Sequence, residues 1–211
     1  MRRIGVSSES TDWKERSIRS LKEAIRFFSN KGKLERELWV SRTFLTRTGI
    51  AFERSELQAA EEPIDVQFRG ARFQIKEAMP EGRKRQLEYS EELAKAERAK
   101  EHAELLRGYT PIELTGQQIF RICSAYSEKL VSEAAYGPRE MAGIDLLVYV
   151  NYPDHHELKP HSGTINASPF RSVSYISNRY ASVIYAAASA PSWLIAAVGV
   201  VSDVRPGEDD D

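Results

Sequence analysis

The chain has 211 residues, 41% hydrophobic and 29% charged, proportions that suit a soluble globular protein with a substantial core. A formal net charge of −1 excludes a uniformly basic nucleic-acid binder, and a single cysteine, Cys123, excludes an intramolecular disulfide framework. The lone thiol and the lack of a basic-then-apolar leader set the expectation of a reducing, cytoplasmic setting.

Periodicity predicts an amphipathic helix over Asp12–Ser29, with Trp13, Ile18, Leu21, Ile25 and Phe28 on its apolar side. Asn30–Gly32 is a stop, and a second helix follows over Lys33–Arg47, where Leu34, Leu38 and Leu45 should pack inward. The first 50 residues hold twelve Lys and Arg against six Asp and Glu, a surplus of +6. A phosphate backbone would favour that surplus, and two solvated helices would account for it equally well. Ile50–Leu57 reads as a strand.

Pro63–Lys76 alternates apolar and polar residues on either side of Arg69-Gly70, the pattern of a β-hairpin with a two-residue turn. Paired outward from the turn, Phe68 lies opposite Ala71, Val66 opposite Phe73, and Asp65 opposite Gln74. One face is then Ile64, Val66, Phe68, Ala71, Phe73 and Ile75. The other carries Pro63, Asp65, Gln67, Arg72, Gln74 and Lys76. Arg is not a favoured first residue for such a turn.

Met79–Gly82 breaks the strand, and Gly82–Arg107 is Glu-, Lys- and Ala-rich, a strong helix former read as a solvated helix, an arm or a partner surface. Thr110-Pro111 resets the chain before a helix over Thr115–Tyr136, with Ile119, Ile122, Tyr126 and Leu130 on one face and Cys123 buried beside them. Gly143–Val150 is a near-continuous apolar run, typical of a central strand covered on both faces. A helix between two such strands suits a right-handed crossover. Asp145 at this strand's start reads as a satisfied structural carboxylate, with a supporting role behind the candidate site as the second reading.

Asn151–Pro169 reads as a loop in which His155, His156, His161 and Asp154 show no recognised zinc spacing. Phe170–Ile176 and Tyr180–Ala187 read as strands about Ser177-Asn178-Arg179. Pro191–Val200 reads as a closing helix with Trp193 and Leu194 in the core. Pro191 interrupts the apolar stretch Tyr180–Val201, which therefore reads as strand then helix rather than as a membrane span. Glu208–Asp211 is an acidic tail.

The polar hairpin face carries the candidate chemistry. Phosphodiester hydrolysis commonly uses a divalent cation to polarise a phosphoryl oxygen and lower the pKa of attacking water. Mg²⁺ takes hard oxygen ligands. Asp65 offers a carboxylate, Gln74 a side-chain carbonyl and Ile75 its backbone carbonyl; Lys76 could orient water or stabilise developing charge. Glu77 is chemically suitable, but strand alternation turns it away. An amphipathic hairpin with one solvated face would look the same.

Asp65 followed by Gln74-Ile75-Lys76 resembles the core motif of the PD-(D/E)XK nuclease superfamily in its Gln-x-Lys form. The resemblance covers roughly Lys33 to Ala78, with some support from Asp145 onward. It implies a helix glutamate before the first strand, matched by Glu37, with the Asp opening the second strand and the triplet on the third. The chain also resembles a bacterial family of uncharacterised proteins described as candidate endonucleases. Two departures stand out: Pro-Ile-Asp replaces Pro-Asp, and Gln74 removes a negative charge that would hold metal.

The expected architecture is thus one α/β domain over residues 1–206, a restriction endonuclease-like mixed sheet flanked by helices. It has a helical N-terminus, a charged insertion at 81–108 and an acidic tail at 207–211. The resemblance implies a nuclease acting on DNA with Mg²⁺ or Mn²⁺, with Glu37, Asp65, Gln74 and Lys76 at its centre. Many enzymes of the superfamily cut as dimers, which leaves a homodimer open. A fold-retaining module that binds nucleic acid or a protein without cutting stands as the alternative.

Overall fold

The computed structural model describes residues 9–106, 112–152, 155–157 and 161–203; Thr110-Pro111, Asp154 and the acidic tail lie outside them. The chain divides into two units, Met1–Arg36 with Glu81–Thr110, and Glu37–Pro80 with Pro111–Asp211.

In the first unit α1 (Glu9–Phe27) packs against α3 (Arg85–Arg98), while α2 (Lys33–Arg47) begins here and continues into the second unit. Lys14 donates to the Ala99 carbonyl at 2.8 Å, and at the other end of α1 Phe28 stacks on Tyr89 and lies 3.7 Å beneath the Arg85 guanidinium. The two helices are therefore antiparallel, joined by apolar and cation–π contacts. The charged helix expected to reach Arg107 stops at Arg98. Glu104 accepts hydrogen bonds from the Lys100 and Glu101 amides, both at 2.9 Å, and starts a separate turn over His102–Leu105. Those two bonds hold the Glu104 carboxyl below its ordinary value. Ala96 and Ala99 are buried, so the helix packs instead of projecting as a bare arm.

The second unit is built on a mixed sheet of seven strands. Its strands are β1 (Gln58–Ala59), β2 (Val66–Phe68), β3 (Ala71–Ala78), β5 (Asp145–Val150), β7 (Ser172–Ile176), β8 (Tyr180–Ala186) and β9 (Val201–Asp203), in that spatial order. β4 (Ile112–Leu114) and β6 (His155–Glu157) form a separate parallel pair. The meander β1-β2-β3 is antiparallel, whereas β3, β5 and β7 run parallel. The connection from β3 to β5 includes α4 (Gly116–Ser132) and the short α5 (Pro138–Met141). Thr115 opens α4 with a reciprocal cap: its hydroxyl accepts from the Gln118 amide, and the Gln118 side chain accepts from the Thr115 amide at 2.8 Å.

Helices cover both faces of the sheet. On one, Val66, Phe68, Phe73, Leu147 and Val183 meet Val40, Phe44 and Leu45 of α2 and Leu194 of α6 (Ser192–Ala196). On the other, Leu146, Val148, Val173 and Tyr175 meet Ile119, Cys123 and Leu130 of α4. Each large side chain so buried contributes about 1.5–3 kcal/mol of transfer free energy. Burial also pushes the Cys123 thiol well above its ordinary value, which makes it an inert packing group.

Four local expectations are corrected. Ile50–Leu57 is not a strand, because Glu53 and Glu56 cap a tight turn over Arg54–Glu56 and leave only Gln58–Ala59 to pair. Leu34 precedes the buried α2 stripe by a turn and is half exposed. The 151–169 stretch contains β6, paired through its backbone with β4. The closing helix ends at Ala196, short of the expected Val200, and Gly199 at φ +75° turns the chain into β9, a strand that begins just beyond the expected helix. No helix among the described residues is long and apolar enough to cross a membrane.

The Ser41 and Ser174 hydroxyls are buried with no hydrogen-bond partner among the described residues. Ser174→Ala is therefore expected to raise stability by about 1 kcal/mol. The reading is a higher urea midpoint at unchanged slope; a lowered midpoint would mean that the hydroxyl is satisfied.

Candidate functional site

The β2–β3 hairpin forms in the expected register, with Phe68 opposite Ala71 and Val66 opposite Phe73. Arg69 and Gly70 adopt φ of +40° and +79°, the left-handed pair that a two-residue hairpin turn requires. Arg69 tolerates this strained position while its guanidinium makes two 2.7 Å bonds to Glu56 and lies 4.9 Å from the Phe68 ring. That guanidinium holds the Glu56 carboxyl below its ordinary value.

At the open end of the hairpin the alternation breaks. The Ile64 amide closes a turn onto the Glu61 carbonyl at 3.0 Å, so Ile64 packs with Ile119 and Leu146 on the α4 face. It does not join Val66 and Phe68 as strict alternation implies. The Asp65 amide still donates to the Phe73 carbonyl at 2.8 Å, and its side chain then takes over where the ladder stops. Asp65 Oδ2 accepts the Gln74 side-chain amide at 2.5 Å and the Ile75 backbone amide at 2.7 Å. Asp65 and Gln74 are buried, at 4% and 6% exposure, in place of the solvated face that sequence alternation suggests. Lys76 follows Gln74 by one strand repeat, half-buried, its ammonium 5.7 Å from the centre of the Tyr136 ring.

The structure thus brings Asp65 and Gln74 into contact and sets Lys76 one repeat further along β3 on the same, α4, face. The N–H and C=O of a strand residue point to the same side. The Ile75 carbonyl therefore faces the edge where its amide meets Asp65. Gln74 gives its nitrogen to Asp65, which leaves its amide oxygen as the group available to a cation.

Glu37 is not brought to this group. It is buried on the stripe Glu37, Val40, Ser41, Phe44 of α2, and that stripe meets the opposite face of the sheet. Glu77 turns to that face too and accepts the Asn151 side-chain amide at 2.6 Å. Asp145 is structural, as expected. Fully buried, it accepts the Arg72 amide at 2.7 Å, the Ser172 hydroxyl at 2.9 Å and Arg171 Nε at 3.0 Å, with Arg171 Nη2 on its second oxygen. His155 and His156 lie on β6, and His161 sits edge-on to Phe120 with ring centres 5.2 Å apart. Among the described residues no group of three His, Cys, Asp or Glu could hold a metal ion.

Sequence reading passed over Tyr136 and Arg171. Tyr136 was placed at a helix end, although in sequence an aromatic beyond Ser132 carries no mark of a distant lysine. Arg171 lies just ahead of β7 and is the one charged residue of the expected strand Phe170–Ile176, which was the available signal.

Residues 9–209 match the family described as "Putative endonuclease, protein of unknown function (DUF1780)". A solved structure of a Pseudomonas aeruginosa strain PAO1 protein, described as of unknown function and of the monooxygenase superfamily, is similar with a TM-score of 0.59. Its sequence is 21% identical, and the likeness covers 93% of this chain and 96% of that one, a similarity of fold. No curated protein matches the chain.

Because Asp65 closes the hairpin as well as offering a carboxylate, its removal has a structural cost. Asp65→Ala strands the Ile75 amide and the Gln74 nitrogen and is expected to destabilise by about 2 kcal/mol. Asp65→Asn, which keeps an accepting oxygen, should lose less than half of that in the same denaturation series. Equal losses would show that the hydrogen bonds are not what Asp65 contributes.

Proposed function

This chain belongs to that family of candidate endonucleases, and from that premise we propose that it hydrolyses phosphodiester bonds in DNA with a divalent cation. The observation that carries the reading is the Asp65–Gln74 contact at the end of the hairpin, with Lys76 on the same face of β3, inside a chain of this family. The arrangement helix, short strand, Asp before the second strand and Gln-x-Lys on the third supports a PD-(D/E)XK, restriction endonuclease-like centre.

The donor set is oxygen-rich but carries one negative charge, from Asp65. It suits Mg²⁺ or Mn²⁺ held loosely by Asp65, Gln74 and the Ile75 carbonyl, completed by water and substrate phosphate. When bound, that cation would polarise a phosphoryl oxygen. Gln74 and the Ile75 amide fix the orientation of Asp65 through its Oδ2. Lys76 orients the attacking water and balances the negative charge that builds on the phosphoryl oxygens as the water oxygen bonds to phosphorus. The water proton passes to solvent, and the bond from phosphorus to the departing sugar oxygen breaks as that oxygen takes a proton from solvent. Glu37 has no part in this reading, since α2 sets it on the other face.

One observation favours the non-cutting alternative. One oxygen of Asp65, Oδ2, already accepts two N–H groups, a lock that a purely structural hairpin would also use.

Purified protein should nick plasmid DNA with Mg²⁺ or Mn²⁺ and lose the activity with chelator. Lys76→Ala and Asp65→Asn should each lower the rate by about 100-fold or more while circular dichroism stays that of the wild type. Cleavage retained in both variants would sink the catalytic assignment. An inert wild type that binds DNA would leave the binding module.

A further inference from the structure

The nuclease reading gives Lys76 a task, and the fold holds that side chain in an unusual way. Three other half-buried cations each give an N–H to an oxygen: Lys14 to the Ala99 carbonyl at 2.8 Å, Arg36 to the Phe27 carbonyl at 2.6 Å and Arg171 to Asp145 at 3.0 Å. Half-buried Lys76 differs. Among the described residues its ammonium makes no hydrogen bond and no ion pair, and what it meets is the Tyr136 ring, 5.7 Å away. At that distance the negative face of an aromatic ring attracts a cation, the more strongly where water is partly excluded.

The chain fixes this ring from both sides. α4 closes in a left-handed turn at Ala134, φ +49°, where the Ala134 amide donates to the Val131 carbonyl at 3.1 Å and the Ala135 amide to the Leu130 carbonyl at 3.3 Å. Alanine is not the residue such a turn prefers, yet the turn takes the chain off the helix at once. Pro138 then opens α5 two residues beyond Tyr136. Between these two fixed points Tyr136 is half-buried against the core on the α4 side, edge-on to Phe170 with ring centres 6.2 Å apart. Its hydroxyl makes no hydrogen bond among the described residues, so the ring is what it presents to Lys76. An aromatic face differs from a carboxylate in one respect that matters here. It holds an ammonium without cancelling its charge and without giving its three N–H donors to an anion.

We infer that Tyr136 is a positioning residue for Lys76: its ring takes the place of a counter-ion and keeps the ammonium ordered, unpaired and open to a phosphodiester oxygen. The choice of anion rests on the nuclease reading. The holding of Lys76 by the ring does not.

The experiment is NMR of the full chain with its lysines reductively methylated by isotope-labelled formaldehyde, the Lys76 signal being identified by its loss in Lys76→Arg. The ring current of Tyr136 should shift that signal away from those of the exposed lysines. Tyr136→Phe should keep the shift and Tyr136→Leu should abolish it, with folding checked by circular dichroism. If Tyr136→Leu does not fold, Tyr136→Met, which keeps an apolar partner for Phe170, takes its place. A DNA duplex added with chelator, so that it stays uncut, should move the Lys76 signal again. In the plasmid assay on unmethylated protein, Tyr136→Leu should lower kcat about tenfold, more than it raises KM, and Tyr136→Phe should recover most of the rate. A wild-type Lys76 signal that coincides with the exposed lysines would overturn the inference, whether or not the protein cuts DNA. So would a folded Tyr136→Leu variant that cuts at the wild-type rate. A ring-shifted Lys76 that DNA leaves unmoved would overturn the phosphodiester as its partner. A wild type that cuts nothing, with Lys76 ring-shifted and moved by DNA, would uphold the positioning and refute the catalytic reading.

Discussion

One buried ion pair holds the sheet together at the hairpin-turn end. Asp145 begins β5 and Arg171 lies just ahead of β7, so their pairing ties the two parallel strands at their starts. The same carboxylate accepts the backbone amide of Arg72 at the start of β3, and the same guanidinium reaches the Gly70 carbonyl in the hairpin turn at 2.8 Å. Three central strands and the turn are thus referred to two side chains. A charge buried this deeply is tolerated only when its hydrogen bonds are filled, and here both carboxylate oxygens are. Position and direction of β3, and with it of Gln74 and Lys76, follow from this joint.

The candidate centre sits at the other end of the hairpin and is organised on a different principle. There the regular ladder stops, and a side chain replaces a strand as the acceptor for the Ile75 amide. Asp65 consequently serves two demands that pull in different directions. A hairpin needs its oxygen committed to N–H groups, whereas a cation needs it turned outward. Gln74 reconciles them in part, because an amide can give its nitrogen to Asp65 and retain an oxygen, which a carboxylate at that position could not do without repulsion.

The hairpin, its register and the central apolar strand were legible because each is a local rule: period two, a two-residue turn, a run covered on both sides. The parallel β3–β5 pairing was legible as well, since a helix between two strands leaves few ways to connect them. What failed was wherever a polar side chain displaced backbone pairing. Glu53 and Glu56 turned an expected strand into a capped turn and Glu104 cut a helix short, while a backbone turn over Glu61–Ile64 moved Ile64 across the sheet. The burial of Asp65 and Gln74 was hidden for a related reason. Alternation reports which residues share a face, not whether a helix lies over that face. Glu37 illustrates the same limit, for its spacing along α2 was correct and its side of the sheet was not.

The parallel neighbour of β3 has a consequence for how the protein comes into being. Residues Asp65 to Lys76 lie within a single tight hairpin, whose ends meet over a short loop at small entropic cost. Sixty-six residues separate the end of β3 from the start of β5, and this connection includes α3 and α4. On the ribosome the hairpin emerges complete while its parallel partner has yet to be translated, with one whole edge of β3 unpaired. Long-range parallel pairing is the slow part of assembling such a sheet. The Asp65–Gln74 contact can therefore form early on the nascent chain, once the hairpin has emerged, whereas the Asp145–Arg171 joint must wait for the last third of the chain.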